Sequence, residues 1–378
     1  MINLLLCGNK KVFDGALTQL ISMTKRTQET INCYILTMDL SRLKPEYVCI
    51  TDEQVEFLNE VIKSKNPQNK VTKIDVTNLY EEEFMKCKNE SAYCTPYTLL
   101  RLLIDEIPNI PDKILYLDID MMIGDDISKL YNIDIDGYEY AAVREKYGRW
   151  LIRPDYINAG MLLFNMKMAK ETKLFEKARN LIRTRKLLFA DQDAIFWSTT
   201  KKKLLPRKFN EQSKFNRKDT VVCHFCKRLL LKPYPHTENF KQWNVEEVHN
   251  ILKCHAFDED LEEYLKLKKE YDKVIYRKEI LALTNSQLGK RMKIADQKKR
   301  LYKERQFVTG IPFSDMNQEA KTDDFVVVQG IIDAYFEETD GIVLVDYKTD
   351  RVNEGEEHIL INRYHAQMES YKQALEKI

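Results

Sequence analysis

Short apolar runs alternate with amphipathic segments over the first two thirds of the chain. The runs at 2–7, 31–38 and 114–117 have the length and composition of buried strands. Between them, residues 13–27 and 52–65 carry apolar positions at helical spacing. Strands that alternate with helices are typical of an α/β fold built around a parallel sheet.

The same alternation continues towards residue 225. It predicts strands over 70–76 and 137–143, and extended pieces over 205–210 and 220–225. It predicts helices over 95–107, 170–184 and 194–199. The helix at 95–107 begins at Pro96, a residue that suits a first helical turn. Arg101 lies among its leucines, where an arginine is usually a surface residue with its head in water, although it could also face a phosphate.

The pattern changes after residue 258, where Glu, Lys, Leu and Tyr recur at helical spacing and predict helices over 258–278 and 287–300. Strands over 325–334 and 341–348 follow, joined as an antiparallel hairpin by an acidic turn at 337–340. We therefore expect two domains, 1–272 and 285–378, with a helical junction at 273–284.

Composition excludes few classes of function. The 378 residues include 60 Lys and Arg and 59 Asp and Glu, so the net charge gives no reason to expect nucleic-acid binding by the whole chain. The eight cysteines are scattered, and neither a signal peptide nor an apolar stretch of about 18 residues is present. A cytoplasmic protein is expected, with the inner face of the membrane as an alternative location.

Two carboxylates mark the end of the most apolar predicted strand. Asp118 and Asp120 are two residues apart, so in a strand they leave the same face, at the sheet edge where α/β folds bind ligands. Such a pair suits Mg²⁺ or Mn²⁺ together with substrate phosphates. Spacing alone leaves open the alternative of solvated aspartates. His224, at the end of an extended piece, is the imidazole best placed to be a third ligand.

A series of motifs over residues 1–270 resembles glycosyltransferase family 8. In chain order the motifs are YLDID, DISKLY, INAGMLLFN, ADQDAIF, LPRKFN and CHF. The resemblance implies one α/β domain of the GT-A nucleotide-sugar fold. It implies a retaining transferase that moves a hexose from a UDP-sugar, with Mn²⁺ or Mg²⁺, to a carbohydrate or lipid-linked acceptor such as a glycan or a lipopolysaccharide.

The resemblance also implies roles for individual residues. The metal ligands would be Asp118, Asp120 and His224. The sugar-site residues would be Asn158, Asp191 and Gln192, with Gln192 near the anomeric carbon. The donor contacts would be Cys7, Asn9, Arg101, Asp118, Asp120 and Lys241. The first turn, Cys7-Gly8-Asn9, replaces the aspartate-containing turn that is usual in the family. The late Lys-Pro-Trp motif corresponds either to Lys241-Gln242-Trp243, which we favour, or to Lys232-Pro233-Tyr234.

These residue types suit transfer with retention. A divalent ion at the phosphates offsets the growing charge of the leaving diphosphate without a strong protein acid. Gln192 is a poor nucleophile, and no other carboxylate stands out as one. A loose substitution on the face that the diphosphate leaves is therefore favoured over a covalent double displacement.

The predicted C-terminal hairpin carries its own candidate chemistry. Asp346 and Lys348 are two apart, opposite Asp333, and could bind Mg²⁺ and place an ammonium beside the attacking water. A surface hairpin with paired charges is the alternative. The following helix places Gln367 and Tyr371 on one face.

Residues 281–378 resemble the C-terminal nuclease domain of the bacterial ATP-dependent helicase/nuclease recombination enzymes, which has the PD-(D/E)XK, restriction-endonuclease-like α/β fold. The matching motifs are SQLGKRM, YKERQF, VVVQGIIDAYFEETDGIVLVDYKTDRV and RYHAQMESYKQAL. The resemblance implies Mg²⁺ and catalytic residues Glu304, Asp333, Asp346 and Lys348, supported by Gln367 and Tyr371. The family's metal-binding histidine and its helicase domains have no counterpart in the sequence.

Three hypotheses follow from the two resemblances. The transferase ranks first, because its whole motif set is present. The second is a DNA nuclease fragment acting in double-strand-break repair, with DNA as a partner only if this part is active. The third is an inactive fusion.

Overall fold

The computed structural model describes residues 1–90, 95–215, 218–230, 234, 236–312, 325–348, 352 and 355–376. The chain divides into two compact units, Met1–Tyr271 and Asp272–Ile378. Among the helices of the described residues, none combines the length and the apolar composition that a membrane span requires.

A seven-stranded sheet with the order β3-β2-β1-β4-β7-β6-β8 forms the centre of the first unit. The first unit's strands are β1 (Ile2–Cys7), β2 (Ile31–Thr37), β3 (Lys70–Asp75), β4 (Lys113–Leu117), β5 (Met121–Ile123), β6 (Tyr140–Arg144), β7 (Ile157–Asn165), β8 (Lys202–Leu205), β9 (Val222–His224), β10 (Arg228–Leu230) and β11 (His236–Glu238). Strands β3, β2, β1 and β4 are parallel, whereas β7 is antiparallel to both β4 and β6. The α/β class is confirmed, with a mixed sheet in place of a wholly parallel one.

Helices cover this sheet and bury its apolar strands. They are α1 (Phe13–Arg26), α2 (Asp52–Lys65), α3 (Thr77–Phe84), α4 (Ser128–Tyr131), α5 (Gly148–Leu151), α6 (Met166–Glu171), α7 (Leu174–Thr184), α8 (Ala190–Ser198), α9 (Val245–Asn250) and α10 (Asp258–Asn285), with 3-10 helices at Lys10–Val12, Pro96–Glu106 and Arg207–Phe209. Leu4, Leu5 and Leu6 of β1 are fully buried, as expected of a strand covered on both faces. The division between the two units falls within α10, after Tyr271.

Three predicted elements need correction. The strand before the two aspartates ends at Leu117, so Asp118 and Asp120 lie in the turn between β4 and β5 rather than in the strand. The predicted helix over 170–184 is two helices, because Lys173 adopts a left-handed backbone with a φ of 57°. The piece predicted as extended over 205–210 contains a 3-10 turn.

A two-stranded pair outside the main sheet connects distant parts of the first unit. Strand β5 runs antiparallel to β9, with Met121 opposite His224 and Ile123 opposite Val222. The backbone N–H of Phe225 donates to the Asp120 carbonyl at 2.8 Å. This pairing brings His224 beside the turn that carries the two aspartates.

The second unit contains a three-stranded antiparallel sheet with the order β12-β13-β14. Its elements are α11 (Gln287–Gln297), β12 (Leu301–Pro312), β13 (Phe325–Glu338), β14 (Gly341–Val345) and α12 (Glu357–Leu375). Phe307, Tyr335, Tyr371 and Leu375 pack together between the sheet and α12. The predicted hairpin is present, but β14 ends at Val345, so Asp346 and Lys348 follow the strand instead of lying in it.

Candidate metal centre

Three side chains converge where β4, β5 and β9 meet. Asp118, Asp120 and His224 each offer a ligand atom, and these atoms lie within 4.8 Å of one another. The His224 Nε2 atom is 3.2 Å from Asp120 Oδ1 and 3.8 Å from Asp118 Oδ2. The structure thus brings together the three residues that the sequence suggested as metal ligands.

The remaining carboxylate oxygens are already occupied by donors of the protein. Asp118 Oδ1 accepts hydrogen bonds from the Tyr116 hydroxyl at 2.5 Å and from Arg101 Nη2 at 3.0 Å. Asp120 Oδ2 accepts from Lys241 Nζ at 2.6 Å. One oxygen of each aspartate is therefore left facing His224 Nε2, and two oxygens with one imidazole nitrogen fit a small divalent cation.

The other nitrogen of His224 orients its ring. His224 Nδ1 lies 3.2 Å from Asn210 Oδ1, and Asn210 Nδ2 donates to Asn158 Oδ1 at 2.8 Å. Because the Asn210 amide oxygen can only accept, it fixes the proton on Nδ1 and leaves the Nε2 lone pair facing the carboxylates. A lone pair that faces two carboxylates favours a cation between them. Asn210 lies in the LPRKFN motif, but nothing in the sequence alone assigned it this role.

Asp120 is buried next to two positive or polarisable partners. Burial alone would raise the pKa of its carboxyl, but His224 and Lys241 outweigh that effect and hold the pKa well below its usual range. Asp120 therefore stays ionised across the physiological pH range and remains available as a metal ligand.

Arg101 is almost completely buried, which corrects the sequence-based preference for a surface arginine. Its Nη1 donates to the Ala159 carbonyl at 2.6 Å, and its Nε lies 3.3 Å from Asp191 Oδ2. Its guanidinium also stacks on the Tyr116 ring, 3.9 Å from the ring centre. Together with the bond to Asp118, these contacts make Arg101 the tie between β7, the metal-side aspartate and α8.

The candidate sugar-site residues are held by the start of β7. Gln192 Oε1 accepts from the Ala159 N–H at 2.9 Å, and Asn158 Oδ1 accepts from the Gly160 N–H at 3.1 Å. Asp191 is buried, and burial raises its pKa although Arg101 opposes the rise. These three residues therefore form one network with Arg101 and, through Asn210, with His224.

A cleft of about 460 Å³ opens beside these groups. Its walls are Cys7, Gly8, Asn9, Lys11, Val12, Glu46, Tyr47, Thr95, Tyr97, Thr98, Arg101, Tyr116, Asp118, Ile119, Asp120, Lys241 and Trp243. All six residues suggested as donor contacts line it. Burial raises the pKa of the Cys7 thiol, which is therefore neutral. Asn9 Oδ1 accepts from the Lys11 N–H at 3.0 Å and so caps the short 3-10 helix.

The segment after Phe240 closes this cleft on one side. Gln242 is fully buried and donates to the Ile119 carbonyl at 2.8 Å, which fixes the segment against the aspartate turn. Its neighbours Lys241 and Trp243 then face the cleft. Of the alternative at 232–234, residues 232 and 233 lie outside the described part of the chain.

Gly160 provides the space that the ligands need. A Cβ atom at this position would lie 2.5 Å from His224 Cε1 and 2.8 Å from Asp118 Oδ2. We therefore expect Gly160→Ala to displace both side chains and to weaken Mn²⁺ binding by at least about 10-fold, as loss of ligand orientation does in other metal sites. Isothermal titration with Mn²⁺ measures this.

Gly124→Ala is the matched control for this effect. Its added Cβ would meet the Thr220 carbonyl oxygen at 2.7 Å but none of the three ligands. It should lose stability without losing the metal. Equal Mn²⁺ affinity in Gly160→Ala and wild type would show that Gly160 does not set the ligand positions.

The second unit places the nuclease-like residues close together without forming a comparable cluster. Lys348 Nζ lies 2.5 Å from Asp346 Oδ2, and Asp333 Oδ2 accepts from the Tyr347 N–H at 2.8 Å. The pKa of Lys348 is raised, because Asp346 outweighs the opposing effect of burial. Gln367 Nε2 donates to the Tyr371 hydroxyl at 2.6 Å. In the described residues no third ligand joins Asp333 and Asp346.

Glu304 departs from the regular strand in which it lies. Its φ is 51°, and the β12–β13 pairing passes from Lys303–Ala334 to Arg305–Ile332 without it. It occupies the position opposite Asp333, but its side chain is exposed. The structure therefore places Glu304 next to Asp333 in the ladder without joining the two in a ligand cluster.

Two family models match the chain in succession. Residues 3–244 match "Glycosyl transferase family 8", and residues 245–378 match "PD-(D/E)XK nuclease superfamily". The division by sequence family thus falls earlier in the chain than the division into compact units, which follows Tyr271.

Solved structures of glycosyltransferases share the fold of the first unit. The galactosyltransferase LgtC in complex with donor and acceptor sugar analogs matches with a TM-score of 0.51 and 16% identity, over 71% of this chain and 96% of that chain. The bifunctional glycosyltransferase WbbM matches with a TM-score of 0.53 and 16% identity, over 71% of this chain and 51% of that chain. At this identity the likeness shows the fold.

Curated relatives match the other part of the chain. An ATP-dependent helicase/nuclease of Clostridium perfringens strain SM101 is 45% identical over 140 residues, which is 34% of this chain and 11% of that protein. The corresponding helicase/nuclease of Lachnoclostridium phytofermentans is 42% identical over 126 residues, 25% of this chain and 9% of that protein. The chain thus spans about a tenth of the length of these relatives.

Proposed function

This chain belongs to glycosyltransferase family 8, and from that premise we propose that it transfers a hexose from a UDP-sugar to a carbohydrate acceptor with retention of configuration. The observation that carries the proposal is the convergence of Asp118 Oδ2, Asp120 Oδ1 and His224 Nε2 at the wall of a cleft. Such a group of ligands beside a cleft suits a nucleoside diphosphate held with a divalent cation.

Asp118, Asp120 and His224 would hold Mn²⁺ or Mg²⁺, which when bound offsets negative charge on the leaving diphosphate. Lys241, bonded to Asp120, adds a fixed positive charge on the same side of the cleft. Asn210 and Arg101 keep His224 and Asp118 in place before the donor arrives. Preorganised charges of this kind cost no rearrangement during the reaction.

The surroundings of Asp191 and Gln192 favour substitution on one face of the sugar. Asp191 is buried against Arg101, and its raised pKa makes it a weak candidate for an ionised nucleophile. Gln192 offers an amide, which does not form a stable covalent sugar ester. We therefore assign Gln192 and Asn158 to sugar positioning, and Asp191 to holding Arg101.

An exposed segment near the start of β7 supports a lipid-linked acceptor and a location at the inner face of the membrane. Trp150 and Leu151 of α5 are 78% and 83% exposed, and Arg149 and Arg153 flank them. Exposed apolar side chains next to basic ones suit the interface of an anionic lipid layer. A glycan or a lipopolysaccharide-type molecule at such a surface would reach Asn158 from this side of β7.

The test is the thermal stability of the full chain with UDP and Mn²⁺. A ligand that binds only the folded state raises its melting temperature by mass action. We expect UDP with Mn²⁺ to raise the melting temperature of the first unit clearly, and UDP alone to raise it little, because the phosphates would meet Asp118, Asp120 and His224 through the ion. The same shift with UDP plus EDTA would contradict this assignment.

A second candidate function is DNA cleavage by the C-terminal part. The match of residues 245–378 to a nuclease superfamily favours it, as does the proximity of Asp346 and Lys348. Mg²⁺ would be held by Asp333 and Asp346, with Glu304, Gln367 and Tyr371 as further candidates. An inactive fusion is the third hypothesis for the same part.

We expect DNA cleavage to be weak or absent. Asp333 and Asp346 have no third ligand in the described residues, and the near-neutral chain offers little general attraction for phosphates. The assay follows Mg²⁺- or Mn²⁺-dependent digestion of single-stranded DNA by wild type and Lys348→Ala. Robust cleavage that disappears in Lys348→Ala would contradict this expectation and establish a nuclease.

A further inference from the structure

A second group of possible metal ligands lies in the first unit, beyond the residues that match the transferase family. His249, at the end of α9, His255, in the following loop, and Asp258, the first residue of α10, each present a ligand atom. These atoms lie within 4.8 Å of one another. We propose that His249, His255 and Asp258 form a transition-metal site, with Zn²⁺ as its expected ion.

The two imidazoles point at one carboxylate. His249 Nε2 is 3.0 Å from Asp258 Oδ1, and His255 Nδ1 is 3.1 Å from Asp258 Oδ2. The rings stack with their centres 5.0 Å apart and their planes at 19°. Both rings are therefore held in an orientation that directs one nitrogen to a common point, as a metal site requires.

The backbone under the three ligands is fixed by buried residues. Each ligand directly follows a side chain of one apolar cluster, namely Val248, Cys254 and Phe257. The Cys254 N–H donates to the Val248 carbonyl at 3.1 Å, which closes the loop between the two histidines. Because the anchors are almost completely buried, the ligands are presented by a packed base rather than by a free loop.

The ligand types separate this site from the one at Asp118. Two imidazoles and one carboxylate suit Zn²⁺, Ni²⁺ or Cu²⁺, whereas two carboxylates and one imidazole suit Mn²⁺ or Mg²⁺. The side chains of His255 and Asp258 are 61% and 42% exposed, so water can complete the coordination. Bound Zn²⁺ would join α9 to the start of α10 and stabilise the end of the first unit.

Zinc titration of the full chain tests the proposal. His255→Phe keeps an aromatic ring against His249 but removes the nitrogen, and Asp258→Asn removes the charge. His236→Phe is the matched control, because His236 bonds Glu238 elsewhere in the unit. All variants are made in an Asp120→Asn background as well, so that Zn²⁺ bound at the other site is counted separately.

We expect wild type to bind one more Zn²⁺ per chain than His255→Phe and Asp258→Asn, in either background. The affinity loss should be at least about 100-fold, since even outer partners of metal ligands are worth 10–100-fold. Co²⁺ in place of Zn²⁺ should give a visible absorption band that both variants lose. An unchanged zinc count in His255→Phe, an equal loss in His236→Phe, or zinc binding only at millimolar concentrations would overturn the proposal, whatever the outcome for UDP.

Discussion

Asp120→Asn should reduce sugar transfer by at least about 100-fold while the protein stays folded. The reason is that Asp120 contributes a ligand oxygen at the centre of the site, and the loss of mere outer partners already costs 10–100-fold. The amide keeps the size of the side chain but loses the negative charge that both Lys241 and a divalent cation require. Turnover of UDP-sugars with Mn²⁺, with and without acceptor, measures the effect.

Asp125→Asn is the matched control for this substitution. Asp125 lies five residues further along the same acidic stretch, but it is bonded to Lys129 and is not one of the three converging ligands. It should leave turnover and the UDP–Mn²⁺ stability shift unchanged. Equal turnover in Asp120→Asn and wild type would refute the metal assignment, and equal losses in both variants would point to a general effect of charge.

Arg101→Met should destabilise the first unit by about 3–5 kcal/mol, the usual cost of removing one partner of a buried ion pair. Methionine fills much of the same volume, but Asp118 and Asp191 lose the positive charge that both contact in the wild type. For a unit of this size, the expected drop in melting temperature is roughly 6–20 °C. Arg149→Met, at an exposed arginine, should change the melting temperature little.

The deficit of Arg101→Met should also depend on pH. Burial raises the pKa of Asp191 and Arg101 opposes the rise, so removing Arg101 raises the pKa further. Above about pH 4, the ordinary aspartate value, the folded variant then holds a proton that the unfolded chain has released. Its stability must therefore fall as pH increases towards neutral.

Denaturant melts of wild type and Arg101→Met at several pH values test this dependence. The difference in stability between the two proteins should grow with increasing pH. The double variant Arg101→Met, Asp191→Asn should lose most of that growth, because the group that titrates is gone. A difference that is independent of pH would show that the cost comes from packing rather than from buried charge.

The sequence was informative about the order of elements and about the ligands, because both depend on local patterns. The apolar runs located β1, β2 and β4, and the Asp118–Asp120 spacing followed by a late histidine indicated the metal ligands. The α/β class follows from the same alternation. What these patterns report is burial and spacing along the chain, and that information suffices for strands and for ligands at their ends.

Arg101 shows where such reasoning failed and why. An α-helical interpretation of residues 96–106 places this arginine at a helix surface, but the segment is a 3-10 helix. With three residues per turn, Arg101 aligns with Thr98 and Ile104 on one side. That side is directed inwards, and the Arg101 Nε donates to the Thr98 carbonyl at 3.0 Å. The helix type depends on tertiary packing, which no short sequence window contains.

Asn210 and Lys241 could not be assigned contacts for a different reason. Their partners, His224 and Asp120, are set by the pairing of β5 with β9 and by the burial of Gln242. These contacts join positions up to 121 residues apart. A motif can single out such residues, but only the assembled sheet shows which oxygen or nitrogen each one reaches.

That separation along the chain has a consequence during synthesis. The aspartate turn leaves the ribosome about a hundred residues before β9 and the segment that carries Lys241, so a nascent chain holds Asp118 and Asp120 without two of their three distant partners. Contacts of long sequence separation also form late and slowly. A ribosome-bound chain stalled before β9 should therefore already carry β1 to β4 but fail to capture Mn²⁺, and capture should begin only when residue 243 has emerged.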